Sequence, residues 1–181
     1  MQETRQVDLT KDYFSNLGLP CGYQIDLAAL ADSHRQLQQA HHPDRFAASG
    51  EAEQRQAVQT ASYLNQAYGV LRSPLKRAIY LLELQGMEPL APTNTSMPMD
   101  FLLQQMQLRE RMEELPAAAD VEAEIEQLAD ELLAMHKQLQ TDFAAAYEAS
   151  QLPAAEVVVR KLQFIEKLQQ ECNDLEGRLL D

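Results

Sequence analysis

The 181-residue sequence lacks tryptophan, has only two cysteines and contains no apolar run approaching the ~20 residues of a membrane-spanning helix. Cys21 and Cys172 lie far apart and outside any CxxC arrangement, which argues against a disulfide framework and a cysteine zinc site. We therefore expect both cysteines to pack as small apolar side chains. The first eight residues also lack the apolar stretch of a signal peptide. These absences predict a cytoplasmic protein with no membrane association.

Strand signals are scarce as well, because β-branched residues are few and no Asn-Gly or Asp-Gly turn separates alternating apolar runs. Apolar residues recur instead at steps of three and four, which predicts an all-α protein. Five of the six glycines lie in residues 1–86, and residues 86–98 combine three prolines with a Thr-Asn-Thr-Ser run. We predict a first domain over residues 8–86, a linker over 87–98 and a second domain over 99–181.

Cations are few in the second half of the chain. Residues 1–86 carry 8 Lys and Arg against 9 Asp and Glu, whereas residues 87–181 carry 7 against 19. An acidic surface of this kind repels phosphate backbones, so a nucleic-acid partner is not expected and a protein or cationic partner is favoured. The alternative is that these charges only form a solvated helical surface.

The second domain reads as three helices, broken at Leu115-Pro116 and at Leu152-Pro153. The middle helix carries a narrow apolar stripe with a charged opposite face, and the last helix has a similar pattern. Three antiparallel helices can bury such seams together, which predicts a three-helix bundle. The middle stripe consists of Val121, Ile125, Leu128, Leu132, Met135, Leu139, Phe143 and Ala146.

In the first domain, residues 41–46 read His-His-Pro-Asp-Arg-Phe, between an amphipathic helix beginning after Asp26 and a longer one beginning near Glu51. Pro43 disfavours helix at the residue before it, so the helix should end there and present His42 and Asp44 on an exposed loop. An imidazole and a carboxylate at a helix end can bind metal, transfer protons or dock a partner. A simple loop that ends the helix is the alternative.

Further motifs surround this loop. Residues 12–19 read Asp-Tyr-Phe-Ser-Asn-Leu-Gly-Leu, and residues 65–78 follow the pattern Asn-x-Ala-Tyr-x-x-Leu-x-x-Pro-x-x-Arg-Ala. Together with His-Pro-Asp they resemble a J domain. Residues 77–82, Arg-Ala-x-Tyr-Leu-Leu, and 101–110, Phe-Leu-Leu-x-Gln-Met-x-Leu-Arg-Glu, extend the resemblance to HscB-type co-chaperones of iron-sulfur cluster assembly. The resemblance covers nearly the whole chain.

The resemblance implies an L-shaped protein with an N-terminal J domain and a C-terminal three-helix bundle. It implies a co-chaperone, not an enzyme, that stimulates the ATPase of an HscA-type, DnaK-like chaperone and delivers the IscU scaffold protein to it. No metal, cofactor or catalytic residue is implied. The chaperone-binding residues are His42, Pro43, Asp44, Arg35 and Arg45. Because Ser33, Gln38 and Gln39 stand where J domains commonly carry basic residues, docking is expected to be weaker or less salt-sensitive.

A second binding surface is predicted on the helix after the linker. At about 100° per residue, Phe101, Leu108, Met112 and Leu115 share one direction and form the core face. Leu102, Leu103 and Met106 point elsewhere, beside Glu110, Glu113 and Glu114, which suggests a protein-binding patch. The alternative is that this side packs against the linker or the first domain.

The resemblance assigns scaffold binding to this helix and to an aromatic residue of the last helix. Gln107 departs from the family pattern, where an acidic residue is usual, so a charge contact is missing while the apolar contacts should carry most of the affinity. The scaffold-binding positions are Leu102, Leu103, Met106, Gln107, Glu110, Glu114 and Phe164.

Three alternatives stay open at this point. His34 and His41 share a helix face and can be joined with His42 in a metal site, although packing is favoured for both. A metal-dependent hydrolase centred on His41, His42 and Asp44 would act without a partner. A J protein that serves a different client would not respond to IscU.

Overall fold

The computed structural model describes residues 7–93 and 96–180. Within those ranges the chain is helical and has no β-strand, so the all-α prediction is confirmed. Two short 3-10 turns, Pro43–Phe46 and Leu115–Ala117, interrupt the sequence of helices. The helices are α1 (Tyr13–Leu17), α2 (Leu27–Ala40), α3 (Glu51–Arg72), α4 (Pro74–Leu84), α5 (Met99–Glu114), α6 (Val121–Glu148) and α7 (Leu152–Leu180).

The chain divides into two compact units, Met1–Leu81 and Leu82–Asp181. The division falls inside α4, five residues before the end predicted for the first domain at residue 86. Asn94 and Thr95 of the predicted linker, Asp181 at the predicted end of the second domain and residues 1–6 lie outside the described residues.

The first unit is built on the antiparallel pair of α2 and α3. Asp26 begins α2 as predicted, because its carboxylate accepts hydrogen bonds from the backbone N–H groups of Ala28 and Ala29, at 2.8 and 3.0 Å. Both helices turn apolar stripes inward and contact α1. The buried residues at the centre of this unit include Phe14, Leu17, Leu30, Leu64, Leu71 and Leu81.

A hydrogen-bond network fixes α1 against α3 and α4. The buried Asn16 amide donates to the Tyr63 hydroxyl at 2.8 Å, and that hydroxyl donates to the Lys11 carbonyl at 2.8 Å. The backbone N–H of Tyr13 donates to the Tyr80 hydroxyl oxygen at 3.0 Å. These bonds join residues more than 45 positions apart, so they hold the start of the chain in place once α3 and α4 have packed.

We expect Tyr80 to make the stability of the protein fall at high pH. Burial raises the pKa of Tyr80 to about 12, although the hydrogen bond from Tyr13 opposes the shift. The unfolded state therefore loses this proton near pH 10 while the folded state still holds it, and the stabilisation present below pH 10 disappears between pH 10 and about 12. Tyr80→Phe should cost about 1 kcal/mol at pH 8 through the lost hydrogen bond and should flatten this part of the profile.

Urea denaturation at pH 8 and pH 11 measures both effects. Tyr147→Phe, at a tyrosine of α6 that stacks on Phe143, serves as the matched control. The unfolding free energy of wild type should fall more from pH 8 to pH 11 than that of Tyr80→Phe. If it falls by the same amount in both proteins, Tyr80 does not cause the loss of stability at high pH.

The second unit is held by α6 and α7, whose apolar stripes face each other. Ile125, Leu128, Leu132, Leu139 and Phe143 of the predicted stripe are buried, whereas its remaining three members are half-buried. Six apolar residues were expected to form the similar stripe on α7. Leu162, Ile165, Leu168 and Cys172 are buried, whereas Leu175 is half-buried and Leu179 is exposed, so the stripe leaves the core near the end of the helix. Helix α5 completes the bundle, joined to α6 by the ion pair of Arg111 with Glu131 and to α7 by that of Arg109 with Glu171.

The prediction for the cysteines is half correct. Cys172 is 1 % exposed and packs as a small apolar side chain, but Cys21 is exposed, so the expectation was wrong there. Cys21 lies in the connection between α1 and α2, directly after Pro20, where the backbone runs over the surface. None of the helices in the described ranges combines the length and apolar character required to cross a membrane.

Candidate functional site

The exposed loop predicted at His-Pro-Asp takes the form of a 3-10 turn, Pro43–Phe46, between α2 and α3. Helix α2 ends at Ala40, and His42 has φ −61° and ψ 130°, the extended conformation that a following proline favours. The His42 Nδ1 atom accepts a hydrogen bond from the backbone N–H of Asp44 at 3.3 Å, which caps the turn Pro43–Phe46. The local sequence thus produces a compact corner between α2 and α3.

Both side chains of interest at this corner face solvent. His42 Nδ1 lies 3.5 Å from an Asp44 carboxylate oxygen, and the side chains are 55 % and 90 % exposed. Arg45 reaches back from the turn, and its guanidinium donates to the Gln39 carbonyl at 3.2 Å. Groups that are this exposed contribute little to the stability of the fold. They are accessible to a partner protein, while the hydrogen bonds on either side fix the backbone that carries them.

A shallow groove beside the turn collects most of the residues predicted to bind a chaperone. Arg35, His42 and Arg45 line it together, whereas Pro43 and Asp44 lie next to it in the turn. The groove has a volume of about 550 Å³ and is open to solvent. We call it the docking groove; its lining residues are His34, Arg35, Gln38, Gln39, His42 and Arg45.

The docking groove also contains His34, Gln38 and Gln39, which were not predicted to bind a chaperone. His34 stacks on Tyr68 with ring centroids 4.3 Å apart, and its Nε2 atom lies 3.1 Å from the Asn65 side-chain oxygen. Gln38 donates to the same oxygen at 2.7 Å. The spacing of four residues between positions 34 and 38 on α2 is the signal that could have grouped these two side chains.

Two further contacts involve Arg35 and Ser33, which belong to the face of α2 that is usually basic in J domains. Arg35 is paired with Asp32 on the same helix at 2.7 Å, so its charge is shared with a carboxylate before any partner arrives. The Ser33 hydroxyl donates to the Leu17 carbonyl at 2.7 Å, so Ser33 faces α1 and does not belong to the docking groove. The cationic part of the docking groove therefore depends chiefly on Arg45 and on the exposed end of Arg35.

The metal alternative finds no ligand set in the structure. His34 is stacked on Tyr68, and His42 uses its Nδ1 atom to cap the turn. Across residues 7–93 and 96–180, no group of three His, Cys, Asp or Glu side chains converges as metal ligands would.

Helix α5 carries the second candidate surface. Phe101, Leu108 and Leu115 are buried as predicted, and Met112 is half-buried, because it lies nearer the edge of the core face than the helical angle indicated. On the other side, Leu102 is 38 %, Leu103 55 % and Met106 68 % exposed. This exposure does not match the alternative in which these three side chains pack against the linker.

Polar positions surround these apolar side chains. Gln107, Glu110, Glu113 and Glu114 are all exposed. We call Leu102, Leu103 and Met106, with Glu110 and Glu114, the α5 patch. A contiguous apolar area with a charged rim is typical of protein-binding surfaces.

Phe164, the aromatic residue predicted to take part, is half-buried where α7 meets α5. Its ring meets Phe101 edge to face, with centroids 5.8 Å apart, and the Arg109 guanidinium lies 5.4 Å from its centroid. Arg109 is in turn paired with Glu171 at 3.4 Å. The sequence did not identify Arg109 as the residue that covers Phe164, and no local pattern could do so, because 55 residues separate the two.

Comparisons with known proteins agree with this architecture. Residues 97–173 match the family model described as the HSCB C-terminal oligomerisation domain. The co-chaperone protein HscB homolog of Azoarcus sp. (strain BH72) is 44% identical over 169 residues, which cover 93% of this chain and 95% of that protein. The solved structure of the chaperone HscB from Vibrio cholerae matches with a TM-score of 0.86 and 37% identity, over 93% of this chain and 99% of that chain. The crystal structure of the human co-chaperone HscB has the same TM-score at 27% identity, over 94% and 85%.

Proposed function

The chain belongs to the HscB family of co-chaperones, and we propose that it stimulates ATP hydrolysis by an HscA-type, DnaK-like chaperone and delivers an IscU-type iron-sulfur scaffold protein to it. The family is not enzymatic, so the chemistry belongs to the chaperone. The proposed setting is the cytoplasm, and the proposed outcome is the maturation of iron-sulfur proteins.

The observation that carries the proposal is the presence of Arg35, His42 and Arg45 in one docking groove, beside Pro43 and Asp44. The exposed imidazole and guanidinium groups offer directional hydrogen bonds and positive charge to the chaperone's ATPase domain. A partner that binds the hydrolysing conformation more tightly than the resting one shifts the population toward it. Each tenfold in stimulation needs about 1.4 kcal/mol of this differential affinity.

The α5 patch supplies the second half of the proposed function. Leu102, Leu103 and Met106 offer apolar area that a folded monomer has no need to expose, and the burial of such area in an interface favours binding. Phe164 adds an aromatic ring that Arg109 and Phe101 hold in position. The carboxylates of Glu110 and Glu114 favour a scaffold surface that is positively charged.

The docking groove and the α5 patch belong to different compact units. One chain can therefore hold the chaperone through its first unit and the scaffold through its second. Joining two binding sites in one chain raises the effective concentration of one partner for the other, which is the physical advantage of delivery over free diffusion.

The steady-state ATPase rate of the HscA-type chaperone, measured with this protein in the presence and absence of IscU, tests the proposal. We expect the protein alone to raise the rate and IscU to raise it further than the sum of the separate effects. If the protein stimulates the ATPase but IscU has no further effect, the J-protein activity is supported and the proposal that IscU is the client is refuted. A folded protein that gives no stimulation would refute the co-chaperone proposal as a whole.

A further inference from the structure

A second apolar depression lies in the second unit, at the end of α5. It has a volume of about 450 Å³, within the range of ligand-binding pockets, and is formed where α5 passes through the turn Leu115–Ala117 into α6. We call it the terminal groove. Its lining includes Glu114, Leu115, Ala117, Ala118, Glu124 and Leu128.

The terminal groove has an apolar floor and an acidic rim. Leu115 and Leu128 at the floor are 4 % and 1 % exposed, so they are anchored in the core of the bundle. Glu114 and Glu124 are exposed, and within the described residues neither has a cationic side chain within 4.0 Å. The lining also includes Arg111, but its guanidinium is paired with Glu131. The net charge presented by the terminal groove is therefore negative.

The backbone of the terminal groove is fixed in the free protein. The N–H of Ala118 donates to the Leu115 carbonyl at 3.1 Å, which closes the turn. The Asp120 carboxylate accepts from the N–H of Ala123 at 3.1 Å, which caps the start of α6. A preformed groove loses little conformational freedom when it binds.

The terminal groove is continuous with the α5 patch. Leu102, Met106, Glu110 and Glu114 follow one another at intervals of four residues, so each lies next to the previous one on the surface of α5. Glu114 is the last member of this row and also part of the rim of the terminal groove. The distance from Met106 to Glu114 along the helix axis is about 12 Å, which about four residues of extended chain can span.

From this continuity and the charge of the rim, we propose that the terminal groove binds a short segment of the scaffold protein that has an apolar side chain next to a lysine or arginine. The apolar side chain fills the depression over Leu115 and Leu128, and the cation lies between Glu114 and Glu124. This proposal rests on the proposed function, since it gives the same partner a second point of attachment beyond Met106.

Isothermal titration calorimetry of the full-length chain with the IscU-type scaffold protein tests the proposal. Glu124→Lys should weaken binding about tenfold at low salt, and the loss should shrink at high salt because the interaction is electrostatic. Glu122→Lys is the matched control, because both glutamates lie exposed in the first turn of α6 but only Glu124 lines the terminal groove. The control should stay within about twofold of wild type.

Ala118→Trp provides a second variant that fills the depression without changing charge. Ala118 has an extended backbone at φ −66° and ψ 149°, which any residue can adopt. We expect this variant to weaken scaffold binding about tenfold at low and high salt alike. Circular dichroism verifies that each variant retains its helices.

Any of the following outcomes would overturn the proposal. Equal losses in Glu124→Lys and Glu122→Lys would attribute the effect to overall charge. Wild-type affinity in Glu124→Lys and Ala118→Trp, with binding lost on truncation of Leu102 and Met106, would refute the terminal groove and leave the proposed function intact. No scaffold binding by the wild-type chain would refute both. If Ala118→Trp leaves scaffold binding unchanged but alters the sedimentation of the chain in the absence of the scaffold, the terminal groove binds a second copy of the chain and not the scaffold.

Discussion

His42→Gln is expected to reduce stimulation of the chaperone's ATPase by at least about tenfold while the affinity for the scaffold stays within about twofold of wild type. The His42 side chain is exposed, lines the docking groove and contributes only a turn cap to its own fold. Glutamine keeps a polar side chain there but removes the imidazole ring and its ability to carry a proton. The loss should therefore fall on chaperone docking and not on the stability of the corner.

The ATPase rate at saturating chaperone, with the variant titrated in, measures this effect. Arg55→Gln is a suitable control, because Arg55 is exposed on α3 and does not line the docking groove. Unchanged stimulation by His42→Gln would remove the docking groove from the mechanism. A large drop in the melting temperature would instead show that the variant damages the first unit.

The double variant Leu102→Ala with Met106→Ala is expected to weaken scaffold binding by about a hundredfold and to leave stimulation by the co-chaperone alone unchanged. Both side chains are exposed and lie one helical turn apart on α5, so their truncation removes contact area without opening a cavity in the core. A hundredfold loss corresponds to about 2.7 kcal/mol, which is about 1.4 kcal/mol for each of the two neighbouring apolar anchors.

Titration calorimetry with IscU measures this loss. The double variant Leu133→Ala with Leu180→Ala is the control, since it removes two apolar side chains of similar exposure from α6 and α7. An equal loss of affinity in the control would show that exposed apolar area in general, and not the α5 patch, attracts the scaffold.

The two sets of variants together test whether the chain has two separate sites. His42→Gln should keep the scaffold and lose the chaperone, and the α5 double variant should do the reverse. If either variant loses both activities equally with its helices intact, the two-site model fails.

Much of the helical architecture was readable from the sequence because its signals are local. Asp26 is a good helix cap and Pro43 disfavours the α conformation before it, and both effects act within a few residues. The stripe from Ile125 to Phe143 repeats with the helical period, so the buried face of α6 follows from spacing alone. The same reasoning separated the buried Phe101 and Leu108 from the exposed Leu103 and Met106.

Properties that join distant parts of the chain were not readable in this way. The exposure of Cys21 depends on how the connection after α1 crosses the surface. Arg109 of α5 covers the Phe164 ring of α7, and the Ser33 hydroxyl faces α1 because it donates a hydrogen bond to the Leu17 carbonyl. None of these contacts produces a periodic pattern of residues in the sequence.

The sequence by itself determined the all-α class, the helices with their caps and inward faces, and the residues that carry the family resemblance. Only the tertiary structure decided that His34, Gln38 and Arg45 line one groove and that Leu115 and Leu128 form the floor of another. The physical reason is that helix formation and amphipathicity depend on neighbours within one or two turns. A groove depends instead on which surfaces the packed helices leave uncovered, and that is fixed only when residues far apart in sequence come into contact.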